Sequence, residues 1–369
     1  MDSKRRSPIS SRVIFNQRRH KNNKELSGIG KRKMIEQAIK NICDGHNLDL
    51  SLAKASVLDM IEGKATPAQI SAFLIGLRMK GETPDEIFSF VTILREKATK
   101  IELSEEGLID LCGTGGDGKS TFNISTISAF VVAAAGVKVA KHGNRAISSQ
   151  CGSADLVEGL GIRLPDSPSR IRQSVAELGL GFIYAPYFHP SMKNVQPIRK
   201  EIGVRTIFNL LGPLINPAGI KRQLIGCFHE NVMKKVAQVL RKLRGERYLL
   251  VHSLDGLDEI SISAPTAGIL LEKDEIKEIE IIPEDYGIKM RPASVKALSL
   301  QENLNILFSV LKGEESAYRD FVLINAGAAI FVSGKAPTLK EGIELARDSI
   351  DSGKAWQKLE AFIKFHQEG

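Results

Sequence analysis

Residues 112–126, CGTGGDGKSTFNIST, concentrate four glycines, one carboxylate and a run of hydroxyls in one short stretch. They lie between an apolar strand, Leu108-Ile109-Asp110-Leu111, and an apolar helix from about Ile124 to Ala135 that Gly136 halts. Glycine lets the backbone turn tightly and bring bare N–H groups against a ligand. The helix start adds unpaired donors and a partial positive charge. A strand, a glycine loop and a helix in that order make a phosphate site.

Two familiar phosphate patterns overlap this stretch. Gly113, Gly115 and Gly118 spell GxGxxG, but the acidic residue a dinucleotide site needs about twenty positions on is missing, for that region reads Ala135-Gly136-Val137-Lys138. Gly113 to Ser120 satisfy GxxxxGK[ST] in full, with Lys119 and Ser120 in place and Asp255, after Tyr248-Leu249-Leu250-Val251, as a loose metal-binding partner. A plain strand-to-helix turn is the structural alternative.

The residues downstream weigh against both patterns. A second strand, Val137 to Ala140, runs into Lys141-His142-Gly143-Asn144-Arg145. Ser148 to Asp155, SSQCGSAD, then opens another helix. If the two strands are parallel neighbours, both loops face one crevice at their carboxyl ends. Lys141 and Arg145 add charge and the serines add short donors, which suits a ligand with phosphates at two ends. A nucleotide triphosphatase has no need of the second loop.

These motifs, in this order and spacing, resemble the anthranilate phosphoribosyltransferase family of tryptophan biosynthesis. The resemblance rests on GTGGD with TFNIST (Gly113–Thr126), KHGNRAISS (Lys141–Ser149), GSAD (Gly152–Asp155), HPSMKNVQPIRKEIGVRTIFNLLGPLINP (His189–Pro217) and GLDE (Gly256–Glu259). It covers roughly Met34 to the C-terminus and makes the Lys119-Ser120 match an accident. It implies a homodimer joined through helical domains, and transfer of the phosphoribosyl group of 5-phospho-α-D-ribose 1-diphosphate (PRPP) to the amine of anthranilate.

By the same resemblance, PRPP is held by Gly113, Gly116, Asp117, Thr121, Asn123, Ile124, Ser125, Thr126, Lys141, His142, Gly143, Asn144, Arg145, Ala146, Ile147, Ser148, Ser149 and Ser153. Backbone N–H groups and hydroxyls suit phosphate oxygens, and Lys141 supplies a point charge. Mg2+ falls to Ser125, Asp258 and Glu259, a hard-oxygen set left incomplete for diphosphate to finish. Without the resemblance, Asp258-Glu259 reads as a solvated acidic turn. Anthranilate falls to Gly113, Asn144 and Arg199, whose planar fork matches a carboxylate; otherwise Arg199 reads as an exposed cation on a charged helix beside Lys193, Lys200 and Glu201. His142 and His189 lie inside motifs without zinc-ligand spacing. An arylamine needs no strong base at neutral pH, so the chemistry implies no dedicated general acid or base. A nucleoside phosphorylase of related fold and a nucleic-acid-binding relative are the alternatives. The GTGGD loop and Asp258-Glu259 argue against the first, and Arg199 with a near-neutral body argues against the second.

The supporting elements read as an α/β protein: a mostly parallel central sheet flanked by helices, with a smaller all-helical domain. Strands are expected at 108–112, 137–141, 181–185, 223–228 and 247–252, β structure at 260–281, and helices from 292 onward. Ile35, Ile39 and Ile42 mark one helical face, a second helix spans about 51–62, and Thr66-Pro67 and Thr83-Pro84 open two more near 67–79 and 84–98. The helical domain is expected at 34–100, joined in space by about 165–200 including a helix at 168–178, and the PRPP-binding domain at 101–369.

Composition fits a cytoplasmic enzyme. No apolar run is long enough for a membrane span, and Cys43, Cys112, Cys151 and Cys227 lack CxxC spacing, so reduced thiols are expected. The formal charge of +8 arises in residues 1–33, which hold five Lys and six Arg against Asp2 and Glu25; the remainder carries −1. The extension reads as disordered, with no secretory core. It could be an organelle leader, a nucleic-acid arm, or sequence ahead of a true start at Met34; the last is the expectation.

Overall fold

The computed structural model describes residues 34–103, 107–146, 150–292 and 294–368. The basic extension 1–33 and the loop residues Ile147, Ser148 and Ser149 lie outside the described residues. Four helices come first: α1 (Met34–Cys43), α2 (Leu50–Ile61), α3 (Pro67–Lys80) and α4 (Pro84–Lys97). Thr66 and Thr83 form the expected capping boxes with Gln69 and Glu86, each with proline in the first turn. Glu86 does more than cap. Its buried carboxylate accepts from Thr83 N–H at 2.8 Å, Leu48 N–H at 2.9 Å and Lys80 Nζ at 3.0 Å, which ties α3, α4 and the α1–α2 turn together.

The α/β part begins with β1 (Asp110–Gly113), α5 (Ile124–Ala134), β2 (Val139–Gly143), α6 (Ser153–Gly159), α7 (Pro168–Leu178) and β3 (Leu180–Tyr184). After the short helices α8 (Ala185–Phe188), α9 (Gln196–Ile202) and α10 (Phe208–Leu211) come β4 (Arg222–Gly226), α11 (Glu230–Lys242), β5 (Arg247–Ser253), β6 (Thr266–Glu272) and β7 (Glu275–Ile281). Four helices close the chain: α12 (Leu300–Leu311), α13 (Ala317–Ser333), α14 (Leu339–Asp351) and α15 (Lys354–Gln367).

Strand order is β1-β4-β5-β6-β7, parallel through β5 and antiparallel in the β6–β7 hairpin. β2 and β3 pair in parallel, and a parallel bridge, Ile109 to Val139, sets them beside β1. Two backbone bonds of 2.9 Å, Ile109 N–H to Lys138 O and Ala140 N–H to Ile109 O, hold that seam. The carboxyl ends of β1 and β2 therefore open on the same side. One face of the sheet packs against α5, α6 and α12–α15. The other packs against α11 and, through one continuous apolar core, against α1–α4.

The long segment between β3 and β4 divides its allegiance. Helix α7, expected to join the helical part, instead lies on β3 and α15, because Ile171 and Val175 press where Gly181 has no side chain. The residues that reach the helical part are Pro190–Ile202 and Ile207–Ile215: Asn194 Nδ2 donates to Ile61 O at 2.8 Å, and Arg95 Nε donates to Leu214 O at 2.6 Å.

Replacing Glu86 by Ala leaves Lys80 buried without its counter-charge and strands two N–H groups, a loss of about 3 kcal/mol. The thermal unfolding midpoint should fall accordingly, with Glu86→Gln recovering part of the loss. An unchanged midpoint for Glu86→Ala would refute this role.

Candidate active site at the carboxyl ends of the parallel strands

Lys141 is the pivot of the site. It sits in the middle of β2, in register with Phe182 of β3, and it is buried. Its Nζ donates to the Leu111 carbonyl of β1 at 2.5 Å and to Ser125 Oγ, in the first turn of α5, at 3.1 Å. One side chain thus joins β2, β1 and the helix that follows the glycine loop. Beneath it lies a second buried charge, Asp110. Its Oδ1 accepts from His142 N–H at 3.1 Å, and its Oδ2 accepts from Asn216 Nδ2 at 2.9 Å. Burial pushes the Asp110 carboxyl up and Lys141 pulls it back. Asn216 also donates to Ala140 O at 3.0 Å, so this knot sets the spacing of β1 and β2.

Asp258 and Glu259 reach the same place from the loop after β5, and they do not form a solvated turn. Gly115 N–H donates to Asp258 Oδ2 at 2.8 Å. The approach is close enough to require glycine twice: a Cβ on Gly113 would meet Asp258 Oδ2 at 2.5 Å, and one on Gly226 would meet the Asp258 carbonyl at 1.6 Å. Burial, with the Asp117 carboxyl alongside, pushes Asp258 up to about 7. Burial and Asp258 push Glu259 well above the usual carboxylate range, against the pull of Lys141 and of the Ser125 backbone N–H. Asp117 Oδ2 is buried and has no hydrogen-bond partner among the described residues. Three carboxyl groups facing one buried lysine leave a deficit of positive charge, and hard oxygen donors fit a divalent cation such as Mg2+. Among the described residues no three His, Cys, Asp or Glu form a ready-made metal cluster. That suits an ion that takes its remaining ligands from substrate and water.

The glycine loop is left open toward ligand. Among the described residues the N–H groups of Gly116, Asp117 and Gly118 have no partner, while Lys119 N–H turns back to Asp117 Oδ1 at 3.0 Å. Lys119 itself lies beside Gly256. Thr121 pairs with Lys296, and Phe122 N–H donates to Val295 O at 2.8 Å, so a later loop braces this one. Asn123 turns away from the loop, with Nδ2 on Asn303 Oδ1 at 3.0 Å and its N–H on the same oxygen at 2.9 Å. Thr126 faces a small internal void with Lys141 and Phe182. In the second loop Ser153 Oγ bonds Asn144 N–H and carbonyl, both at 3.2 Å. Ala146 N–H donates to Asp155 at 3.0 Å. Arg145 is engaged by Glu158 at 2.7 Å and by Tyr184 Oη at 3.1 Å. Gly143 packs on Phe182 and Ser153, and Ile124 is core.

On the helical side, Arg199 in the last turn of α9 stacks on Phe208 with its guanidinium carbon 4.9 Å from the ring centroid. It has no carboxylate partner among the described residues, and burial lowers its pKa. A half-buried guanidinium of this kind has the planar fork that matches a carboxylate. No hydrogen bond joins Arg199 to the strand-end loops among the described residues. His142 and His189 sit nearby in the fold as an edge-on pair, 5.4 Å between centroids. His142 Nδ1 lies 3.1 Å from Gly212 O. Burial lowers His142 to about 4 and His189 to about 3, so both rings are neutral at pH 7. Burial also pushes the thiols of Cys112 and Cys151 up, which removes them as nucleophiles.

The motif reading did not single out Asp110, Asn216, Asn303 or Arg205. Only Asp110 carried a local signal, a carboxylate inside an apolar strand.

A parallel sheet with a helical annex and an anion crevice at its strand ends is the architecture of one glycosyltransferase class. Residues 36–98 match the model of the glycosyl transferase family helical bundle domain, and residues 105–356 match that of its a/b domain. The chain belongs to the anthranilate phosphoribosyltransferase family. It is 47% identical to the anthranilate phosphoribosyltransferase of Persephonella marina over 339 residues, 91% of this chain and all of that one. It is 48% identical to that of Symbiobacterium thermophilum over 332 residues, 90% of this chain and 97% of the relative. The structure superposes on the Thermus thermophilus enzyme with a TM-score of 0.83 at 40% identity, over 89% of this chain and 99% of the other. It superposes equally well, TM-score 0.83 at 26% identity over 91% and 98% of the chains, on the Saccharomyces cerevisiae enzyme in complex with PRPP and Mg.

The neutral histidine pair sets an acid limit. Both folded pKa values lie below the unfolded value near 6.5, so the unfolded chain binds more protons in between. Their stabilisation is present above about pH 6.5 and is lost as pH falls toward 4 and 3. The unfolding free energy should drop over that window. His142→Gln with His189→Gln should flatten the slope; an unaltered slope would show that these rings do not set it.

Proposed function

We propose that this crevice binds PRPP between the Gly113–Asp117 and Lys141–Ser153 loops and presents it to anthranilate bound against Arg199. The reaction is transfer of the phosphoribosyl group to the amine of anthranilate, giving N-(5-phosphoribosyl)anthranilate and diphosphate, a step of tryptophan biosynthesis. The observation that carries this reading is the span of Lys141 from β2 to Leu111 O and Ser125 Oγ, with Asp258 at Gly115 on the same edge.

Each part has a chemical task. The unpaired N–H groups of Gly116, Asp117 and Gly118 donate to phosphate oxygens, and their strength grows as charge collects on the departing diphosphate. Ser125, Asp258 and Glu259 hold Mg2+, which when bound neutralises the diphosphate and orients it. Arg199 grips the anthranilate carboxylate through its fork, while Asn144 and Gly113 line the approach and set the amine in line with the anomeric carbon. The neutral His142–His189 pair shapes the floor and holds no proton for transfer. The arylamine lone pair is already free, so no general base is needed.

The proposal extends to organisation. The helical domain comprises residues 34–100 with the stretches around 190–202 and 207–215, and the rest forms the PRPP-binding domain. We place the enzyme in the cytoplasm as a homodimer joined through its helical domains. The four cysteines form no disulfide with one another among the described residues, which agrees with a reducing compartment. Exposed Met79 and Met34 on that domain agree with a covered face. No helix among the described residues is long and apolar enough to cross a membrane.

Loss of anthranilate fluorescence on adding enzyme, PRPP and Mg2+ tests the activity, and a steady signal would count against it. Arg199→Ala should raise the anthranilate KM by about tenfold or more, with Arg199→Lys recovering little because the fork is lost. Asp258→Asn with Glu259→Gln should abolish the Mg2+ dependence of turnover. Equal Mg2+ response in that double variant would remove these residues from the metal site.

A further inference from the structure

Arg205 occupies a position that the reaction chemistry does not assign. It follows α9, just beyond the left-handed Gly203. Its guanidinium donates to the carbonyl of Gly116. The same group lies over the Phe228 ring with 4.6 Å from guanidinium carbon to centroid. Phe228 is itself fastened to the glycine loop, for its N–H donates to Thr114 Oγ1 at 3.2 Å. On the other side the Arg205 carbonyl accepts from the guanidinium of Arg78, a residue of α3. A chain of contacts thus runs from the helical part through Arg205 into the glycine loop.

Planarity of the peptide bond gives this chain a consequence. The carbonyl of Gly116 and the N–H of Asp117 belong to one trans peptide and point in opposite directions. Anchoring that carbonyl on Arg205 aims the Asp117 N–H to the far side, where it has no protein partner among the described residues. Gly116 holds φ +81°, and a Cβ there would stand 3.1 Å from Arg205 Nε. The peptide is free to flip in a glycine-rich loop unless something grips it. Arg205 is that grip, with Nη2 donating to the Gly116 carbonyl and an aromatic ring to fix the guanidinium plane.

We propose that Arg205 is a positioning residue for PRPP: it locks the Gly116–Asp117 peptide with its N–H toward the diphosphate, and Arg78 makes that lock depend on the placement of the helical part. The inference rests on the function proposed above. It separates from a charge effect because a lysine would keep the charge and lose the planar guanidinium that stacks on Phe228. It separates from a purely structural role because only the PRPP side of the kinetics should respond.

The test measures PRPP binding by calorimetry with Mg2+ present, and both KM values, for wild type, Arg205→Ala, Arg205→Lys and Arg78→Ala, with thermal midpoints as a folding control. Arg205→Ala should raise the PRPP KM and Kd by about tenfold, the worth of one charge-assisted bond. The anthranilate KM should stay within about twofold, a margin well below one such bond. Arg205→Lys should resemble Arg205→Ala, and Arg78→Ala should show the same bias, less strongly. Full recovery in Arg205→Lys, equal change in both KM values, or unchanged PRPP binding would each overturn the lock. If Arg205→Ala does not fold, Arg205→Lys and Arg78→Ala decide by the same readings. Wild type that binds no PRPP would sink the proposed function and the lock together; wild type that binds, beside an Arg205→Ala that binds equally, sinks the lock alone.

Discussion

A lysine without solvent is the constraint on which this molecule turns. Lys141 is buried in β2, and its ammonium satisfies a carbonyl of β1 and a hydroxyl of α5. A buried cation needs anions close by, and the carboxyls of Asp110 and Glu259 both feel the Lys141 charge. The cost of burying these groups is met only when β1, β2, α5 and the loop after β5 are all in place.

The arrangement is unbalanced in a useful direction. Asp117, Asp258 and Glu259 crowd one another, and burial drives Asp258 and Glu259 toward their neutral forms. Such a cluster is uncomfortable alone and is relieved by a divalent ion. Next to it, the glycine loop presents N–H groups with no internal partner among the described residues. Crowded carboxyl groups and N–H donors without acceptors among the described residues stand side by side, which is the complement of a metal-bound diphosphate. Catalysis by electrostatic preorganisation requires this kind of unmet demand in the resting protein.

The helical part contributes more than a lid. Its core runs without a break into the core under β4, β5 and β6 through α11, Phe208 and Leu211. Arg199 is supplied from the segment that bridges the two, held over Phe208, whose own edge meets Phe90 of α4 at 5.6 Å. A small aromatic acid and a large polyanion need opposite surroundings. In the proposed arrangement a helical wall and a strand-end crevice provide both, and Arg205 joins the two through Arg78 and Gly116.

Much of this was legible in the residues themselves. The capping boxes at Thr66 and Thr83, the apolar runs of β1 to β5 and the stop at Gly136 are local, since helix ends and strands are dictated by neighbours within a few positions. The glycine loop and the Lys141 loop announced phosphate for the same reason. Asp258 and Glu259 did not announce themselves. Their meaning depends on burial, and burial came from Gly226 of β4 and Gly113 of β1 leaving no side chain in the way. Helix α7 was placed wrongly because its amphipathic pattern names an apolar face but not the surface that takes it; Gly181 on β3 decided that. The sequence by itself determined which elements form and which chemical groups they carry. Tertiary structure alone decided which of those groups lose water and which N–H donors stay unpaired, because charge state and hydrogen-bond satisfaction depend on neighbours that are remote along the chain.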